Sequence, residues 1–351
     1  MREVAVVGFA EAPNVRHTDG TTNGVEMLVP IFREVFDQTG LTKNDIGFWC
    51  SGSSDYLAGR AFSFVSAVDA IGAFPPVMES HVEMDAAFAL YEAWVKVLTG
   101  EADIALAYGF GKSSAGDLRR VLALQLDPYV MAPLWPDSVS VAALQARLGL
   151  DKELWTERGM AEVAARSRGA AVSSARAQLV GEVTVDDLLT EPYIADPLRA
   201  HDCAPITDGA AVVIIAAAER AAELCSRPAW ITGFEHRIDS GSFGARDLTT
   251  SPSATAAGAA AGAAASVDVA ELHAPFTHQE IILRTALGLS ESVRICPSGG
   301  ALAGNPMFAA GLARIGHAAR QISSGAADRA LGHATSGPAL QQNLVCVMEA
   351  R

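Results

Sequence analysis

The sequence predicts an α/β protein built from two similar halves, and three observations support this prediction. First, nearly continuous apolar segments at 3–13 and 228–236 are typical of buried strands. Second, each is followed by a helix-patterned segment, at 24–40 and 253–266. Buried strands that alternate with helices indicate a mostly parallel sheet covered on both faces. A chain of 351 residues, 50% of them hydrophobic, is long enough to bury such a core.

The third observation is an internal repeat. The segments TGEADIALAYGFGKSS (99–114) and SGAADRALGHATSGPA (324–339) share the pattern G-x-A-D-x-A-L. Each follows an amphipathic helix pattern, at 86–98 and 306–322. Two copies indicate a duplicated half, because a solenoid requires three or more short repeats.

The repeat divides the chain into three parts. Residues 1–114 and 191–227 are expected to form the first half, and residues 228–351 the second. The segment 115–190 is richer in charged and aromatic residues than the rest of the chain. It is expected to be an inserted loop domain, a natural place for substrate-binding loops.

Composition and charge exclude several classes of function. The net charge is −14 and the 26 Lys and Arg residues are scattered, which argues against nucleic acid as a partner. No run approaches the roughly 18 uncharged apolar residues that a membrane span requires. Glu3 interrupts the N-terminal apolar stretch, which is unlike a signal peptide. We therefore expect a cytoplasmic protein.

The cysteines argue against two further kinds of site. They are odd in number and show no C-x-x-C spacing, so neither a disulfide framework nor a metal site is expected. Most lie in apolar surroundings, where a buried and inert thiol is the usual outcome. The five positions are Cys50, Cys203, Cys225, Cys296 and Cys346.

An uncharged glycine-rich loop, CPSGGALAGNPMF, occupies residues 296–308. It has neither the spacing of a P-loop nor its terminal Lys-Ser/Thr. A phosphate cradle is therefore not expected here. The loop would instead cap a helix or line a reaction centre.

Four segments, in the same order, resemble the thiolase superfamily, in particular its SCP2-thiolase or lipid-transfer-protein branch, which includes steroid side-chain aldolases. One is similar to the Pro-Leu and Asp-Gly-Ala-Ala segment that closes the first half. Others resemble a His-Asp-Cys-Phe block, an Asn-Pro-Ser-Gly-Gly turn before Gly-His-Pro, and the closing strand. The four segments are 196–216, 268–289, 296–306 and 339–350.

The resemblance implies a five-layer αβαβα thiolase fold made of two duplicated halves. Its central helices are expected to begin near residues 82 and 306. It also implies a homo- or heterodimer with a thiolase-like chain, joined through the first-half strand edge near 103–109.

The chain departs from the family at the acyl-transfer residues. The nucleophilic Cys of the family falls at or beside Glu83, and the His of Gly-His-Pro falls on Asn305. Cys346 lies in an apolar strand pattern and not in a glycine-rich loop. Because a carboxylate is a poor acyl carrier, ordinary thiolase activity is not expected.

The resemblance carries over several candidate catalytic residues. His273 matches a family His and would donate a hydrogen bond to the oxygen of a thioester enolate. Asn305 can donate a hydrogen bond but cannot shuttle a proton at neutral pH. The remaining proton-transfer candidates are Glu83, Asp85, His81 and His333. The glycine turn would bring backbone close to the thioester of the substrate through Ser298, Gly299, Gly300 and Gly304.

Most of these residues also have an ordinary structural explanation. Glu83 and Asp85 would complement a helix dipole in its first turn. His81 would be a surface or capping residue, and Asn305 would cap the following helix. His333 ends a strand pattern and is open to either interpretation.

The surviving chemistry is retro-aldol cleavage of a β-hydroxyacyl-CoA, as in sterol or lipid side-chain degradation. This reaction needs a base and an oxyanion hole but no nucleophile. Coenzyme A would enter as part of the substrate, with no covalently bound cofactor, and a partner of the OB-fold and zinc-ribbon (DUF35) type is implied. Two alternatives stay open. The chain is an inactive subunit that supports a partner in a heteromer, or it is a thiolase that uses Cys296 or Cys203.

Overall fold

The structure is a computed structural model that describes residues 2–19, 24–55, 62–72, 74–124, 126–263 and 265–351. Its strands, in chain order, are β1 (Val4–Glu11), β2 (Phe48–Gly52), β3 (Glu79–Val82), β4 (Ile104–Lys112), β5 (Tyr193–Ala195), β6 (Leu198–Arg199), β7 (Ile206–Ala217), β8 (Ala229–Ile238), β9 (Val269–Glu271), β10 (Arg294–Ile295), β11 (Asn305–Pro306), β12 (Arg329–Ser336) and β13 (Gln342–Glu349).

The α-helices of the same part of the chain are α1 (Gly24–Thr39), α2 (Ser63–Ile71), α3 (Ala86–Leu98), α4 (Leu118–Ala123), α5 (Ser138–Asp151), α6 (Glu157–Ala170), α7 (Val185–Leu189), α8 (Ala218–Leu224), α9 (Pro252–Ala261), α10 (Thr277–Ala286) and α11 (Ala310–Ser323). Helices α4 to α7 all come from the segment between β4 and β5.

The two halves have the same strand topology. The order is β3-β2-β4-β7-β1 in the first half and β10-β9-β12-β13-β8 in the second. In each half the first two pairings are parallel and the last two antiparallel. The duplication expected from the repeated pattern is therefore present. A short pairing of β1 with β8 joins the two half-sheets into one continuous sheet.

Three apolar cores join five layers, and the central core lies on both sides of the middle helix layer. Helices α1 and α2 cover the outer face of the first half-sheet. Helices α3 and α11 lie side by side between the two half-sheets, and α9 and α10 cover the far face of the second. A helix between two sheets must be apolar on most of its surface. The alanine-rich sequence of α3 meets that requirement. The predicted αβαβα fold is confirmed.

Two expected positions are wrong. The central helices begin at Ala86 and Ala310, not near 82 and 306. Asp85 is the N-cap that starts α3, because its carboxylate accepts the Ala87 N–H. Asn305 and Pro306 form β11, which pairs with β7, so Asn305 does not cap α11.

The expected dimerisation edge is also wrong. Residues 103–109 fall largely on β4, which lies between β2 and β7 and has no free edge. The outermost strand at this end of the sheet is β3. In the part of the chain that the structure describes, no helix has the length and apolar character to cross a membrane.

Candidate active site

A cavity of about 1060 Å³ opens where the two halves and the segment 115–190 meet. Asp85 reaches it from the first half, and His273 and Asn305 reach it from the second. Apolar residues of the 115–190 segment, among them Leu122 and Leu126, form another part of the wall. The structure thus brings together three of the six catalytic residues that the sequence suggested.

His273 follows β9 and is held in one orientation. The backbone N–H of Thr335 donates to its Nδ1 over 3.4 Å, so this nitrogen is the acceptor. The proton therefore lies on Nε2, which donates to Oδ1 of Asn305 over 3.1 Å. Burial and the nearby Arg314 guanidinium lower the pKa of His273 to about 4. The imidazole is neutral at physiological pH.

Asn305 has its backbone fixed and half of its amide available. Its N–H donates to Oγ1 of Thr207, and β11 is paired to the start of β7. Its Oδ1 is occupied by His273. Within the described residues, no acceptor lies at hydrogen-bonding distance from Nδ2 of Asn305, a residue that lines the cavity. The two N–H groups on Nδ2 of Asn305 are therefore available to a ligand.

The carboxylate of Asp85 lies at the N-termini of both central helices. Oδ1 accepts from Ala87 N of its own helix and from Leu312 N of α11, at 2.9 and 3.0 Å. Oδ2 accepts from Gly311 N at 2.9 Å. Helix N-termini stabilise negative charge. Burial raises the pKa of Asp85 against the opposing effect of these three N–H groups.

A glycine makes this contact possible. A Cβ at residue 311 would lie 2.6 Å from Oδ1 of Asp85 and 2.6 Å from Cβ of Ala334. Only glycine allows α11 to approach both the carboxylate and β12 so closely. Gly111 on β4 similarly accommodates the backbone of Met307, which also lines the cavity.

The other three catalytic candidates do not line the cavity. Oε1 of Glu83 accepts the backbone N–H of Asp55, and its side chain is half exposed. The ring of His81 stacks on Phe64 with centroids 4.7 Å apart. His333 is buried against Oδ1 of Asn343 at 2.9 Å, and burial lowers its pKa to about 3.

The expected substrate-binding residues of the glycine turn lie behind the cavity wall. Ser298 donates through both its N–H and its hydroxyl to the buried carboxylate of Glu271. Gly299 and Gly300 have positive φ and pack on neighbouring side chains, and Gly304 packs on Asn14. None of the four is among the residues that line the cavity. The turn supports the cavity from behind.

Among the cysteines that the structure describes, one lies on the wall of this cavity. Cys203 lines it, and burial raises the pKa of its thiol to about 12. Cys296 and Cys346 are buried, and burial raises the pKa of both thiols. The residue at the start of α3 is a carboxylic acid, so no thiol occupies the helix N-terminus.

Sequence reasoning missed the basic residues of the cavity. Arg16, Arg119 and Arg168 line it together with His17. Arg119 forms an ion pair with Asp137 at 3.2 Å. These residues are far apart in the sequence and no motif connects them. The only available signal was their position in segments expected to be loops or an insertion.

Comparisons with known proteins agree with this architecture. No family model matches the chain. A solved structure described as an Ltp2-ChsH2(DUF35) aldolase superposes with a TM-score of 0.81 over 99% of this chain and 98% of that one, at 18% identity. The acetyl-CoA acetyltransferase of Methanothermobacter thermautotrophicus is 26% identical over 96% of this chain and 95% of its own length.

The chain has the thiolase fold, and its sequence relatives support a thiolase-superfamily assignment. A further superfamily relative is the 17-hydroxy-3-oxo-4-pregnene-20-carboxyl-CoA lyase of Mycobacterium tuberculosis, 31% identical over 147 residues. That alignment covers 39% of this chain and 38% of the lyase. The resemblance to the lipid-transfer branch, drawn from the four sequence motifs, is confirmed. The chain has the fold of thiolases and a carboxylate, Asp85, at the start of α3.

Proposed function

We propose that this chain is a carbon–carbon lyase that cleaves a β-hydroxyacyl-CoA by a retro-aldol reaction. One observation carries the proposal. The amide of Asn305 is oriented by His273 toward the cavity, which Asp85 enters in place of a thiol. Such a site has a hydrogen-bond donor for an oxyanion and a carboxylate base, but no thiol at the start of α3 to carry an acyl group.

The reaction balances with these groups. Oδ2 of Asp85 takes the proton of the substrate β-hydroxyl, and the C–O bond becomes a carbonyl. The bond between the α and β carbons breaks, and its electron pair passes to the thioester as an enolate. Nδ2 of Asn305 donates to the enolate oxygen. Protonation of the α carbon completes a shorter acyl-CoA, and Asp85 returns to its carboxylate form.

Burial makes Asp85 a better base than an exposed carboxylate, because it raises the pKa of this side chain. His273 does not take the proton in this scheme. Its Nε2–H is committed to Asn305, and its Nδ1 accepts from Thr335. It holds the amide in the orientation that presents N–H groups to the cavity.

The basic residues at the cavity suit the coenzyme A moiety. Coenzyme A carries phosphate groups, and Arg is the side chain that binds phosphate most specifically. Arg16, Arg119 and Arg168 lie together on the cavity in a chain of net charge −14. Leu118, Leu122 and their apolar neighbours would contact the acyl chain of a lipid or sterol substrate.

We extend the proposal to the partners. The solved aldolase is described as a complex with a DUF35 chain, and the mycobacterial relative is named as a lyase of a steroid acyl-CoA. On this basis we propose a DUF35-type partner with an OB fold and zinc ribbon, and a sterol or lipid side chain as the substrate. We also propose a dimer with a thiolase-like chain through the free edge of β3.

The test is cleavage of defined β-hydroxyacyl-CoA thioesters by the chain with a co-expressed DUF35-type partner. Liquid chromatography with mass spectrometry should detect a ketone or aldehyde and the shorter acyl-CoA in equal amounts. Asn305→Ala should slow the formation of both products by about 10²- to 10³-fold, whereas the surface variant Leu154→Ala should not slow it. Formation of products at the same rate with Asn305→Ala would contradict the proposal.

A second candidate function is a supporting subunit without catalytic chemistry. The observation that favours it is the engagement of both Asp85 oxygens by backbone N–H groups, which weakens the carboxylate as a base. In that case Asp85→Asn in this chain would leave the rate of the complex unchanged. A thiolase that uses Cys203 is the third alternative, since relatives include acetyl-CoA acetyltransferases. It would form an acyl-cysteine adduct detectable by mass spectrometry.

A further inference from the structure

A buried arginine lies behind the polar wall of the cavity. Arg314, on α11, is 3% exposed. Its Nη1 donates to Oγ of Ser298 at 2.7 Å and to Oε2 of Glu271 at 3.3 Å. Glu271 is fully buried and also accepts the N–H and hydroxyl of Ser298. The three residues form a closed network of charge-assisted hydrogen bonds.

The network connects the three segments that carry the polar residues of the cavity. Glu271 ends β9, two residues before His273. Ser298 begins the glycine turn that leads to Asn305. Arg314 lies three residues beyond Gly311 and two beyond Leu312, whose N–H groups bind Asp85. A displacement of Arg314 would therefore shift Asp85, His273 and Asn305 together.

We infer that Arg314 is a positioning residue: it ties Asp85, His273 and Asn305 into one rigid unit and supplies the fixed positive charge beside them. The effect of Arg314 on the lyase reaction rests on the proposed function. Its effect on the arrangement of the three residues does not. Within the described residues, Nε of Arg314 is buried with no acceptor, so Glu271 satisfies only part of the guanidinium. Arg is charged at every physiological pH, which makes it suitable for this role.

The electrostatic effect has a definite direction at each neighbour. The Arg314 charge contributes to the lowered pKa of His273, after burial, and it opposes the burial-induced rise in the pKa of Asp85. The arginine therefore favours a neutral imidazole and an ionised carboxylate, the pair of states that the retro-aldol scheme needs. Arg314 on α11 and His333 on β12 interact electrostatically with His273, Glu271 ends the strand that His273 follows, and Asp85 lines the same cavity.

Four variants separate charge from geometry. Arg314→Lys keeps the positive charge, and Arg314→Met removes it. Arg314→Met with Glu271→Gln removes both charges, so that no unpaired buried carboxylate is left and folding is preserved. Arg320→Met is the matched control. It is on the same helix and interacts with Phe9, away from the cavity.

The primary measurement is the titration and tautomer of His273 by NMR of ¹⁵N-histidine-labelled protein, which needs no activity. The pKa of His273 should be unchanged in Arg314→Lys and Arg320→Met. It should rise in the double variant, and rise further in Arg314→Met, where Glu271 is unopposed. A pKa of His273 that is the same in the double variant as in the unmodified protein would overturn the inference.

The second measurement is the pH profile of the lyase reaction. The double variant should show a new loss of kcat on the acidic side, where His273 takes up a proton and no longer accepts from Thr335. Arg320→Met should keep the original profile. If the lyase reaction is absent altogether, the proposed function fails while the NMR result still decides the role of Arg314.

Discussion

The imidazole of His273 donates its Nε2–H to Oδ1 of Asn305 across 3.1 Å, although the two residues are 32 positions apart. The Thr335 N–H at Nδ1 fixes the direction of this hydrogen bond. As a result the amide N–H groups of Asn305 are turned toward the cavity. The two residues therefore present one hydrogen-bond donor to the cavity. Asn305 supplies the N–H groups, and His273 holds them in position.

His273→Ala should lower kcat of the lyase reaction by about 10²- to 10³-fold, the usual effect of losing one oxyanion-hole donor, with a smaller effect on KM. Asn305→Ala should have a similar effect. The double variant should be no slower than the slower single variant, because both residues serve one donor. Steady-state kinetics of the complex measure this. An additive double variant would show that the two residues act separately, and His236→Ala, outside the cavity, is the control.

Asn305→His should not restore thiolase activity. The proposed site has no acyl carrier, and a histidine at 305 would supply only a base. With acetoacetyl-CoA and coenzyme A, no acetyl-CoA should form in either protein, and iodoacetamide should not inhibit the lyase reaction. Acetyl-CoA formation by Asn305→His would mean that a thiol of this chain does carry acyl groups.

Asp85→Asn should lower the free energy of unfolding by about 2–3 kcal/mol, the scale of a lost hydrogen bond to a charged group. An amide nitrogen cannot accept from Gly311 or Leu312, so the contact between the two central helices weakens. Urea unfolding followed by circular dichroism gives the value. Thr156→Ala removes the N-cap of α6 alone and should cost about 1 kcal/mol. Equal losses in the two variants would rule out the double capping role of Asp85.

The folded protein should lose stability as the pH falls from 6.5 to 5. Burial lowers the pKa of His273 to about 4, and of His278 and His333 to about 3, from an ordinary value of 6.5. The unfolded chain therefore binds more protons in this range, and each histidine should remove about 2 kcal/mol between these two pH values. The effect is absent above about pH 7, where both states are neutral.

Urea unfolding at pH 6.5 and 5 measures this dependence. His278→Gln should reduce the difference by about 2 kcal/mol, because it removes one of the three buried imidazoles. His17→Gln, at an exposed position, should leave it unchanged. A difference that is the same in the His278 variant and the unmodified protein would contradict the prediction.

The chain should be a dimer through β3. This strand is the outermost at its end of the sheet, and exposed apolar side chains lie beside it, Met78 at 60% and Phe74 at 93% exposure. Met78→Glu should produce monomers in light scattering at micromolar concentration, because it places a charge in an apolar contact. Leu154→Glu, exposed but distant in the chain, should remain dimeric. A monomeric unmodified protein would refute the assembly.

Much of the fold was predictable because it depends on local pattern. The G-x-A-D-x-A-L repeat predicted two equivalent halves, and the strands β4 and β12 that begin within it occupy equivalent places in the sheet. Element ends were less predictable. The sequence at residues 305 and 306 resembles the start of a helix. These two residues instead pair with β7 and have an extended backbone. Likewise, the apolar sequence of residues 103–109 gave no information on whether its strand lies at an edge of the sheet.

The sequence by itself determined the duplicated α/β architecture, and it predicted that no thiol occupies the position of the family's nucleophile. Both depend only on which residues follow one another. The tertiary structure alone decided which candidates meet. It placed Asp85, His273 and Asn305 on one cavity and left Glu83, His81 and His333 elsewhere. The reason is that these contacts form between segments far apart in the chain, where the N-terminus of α11 meets Asp85 and the buried Arg314 joins β9 to the glycine turn.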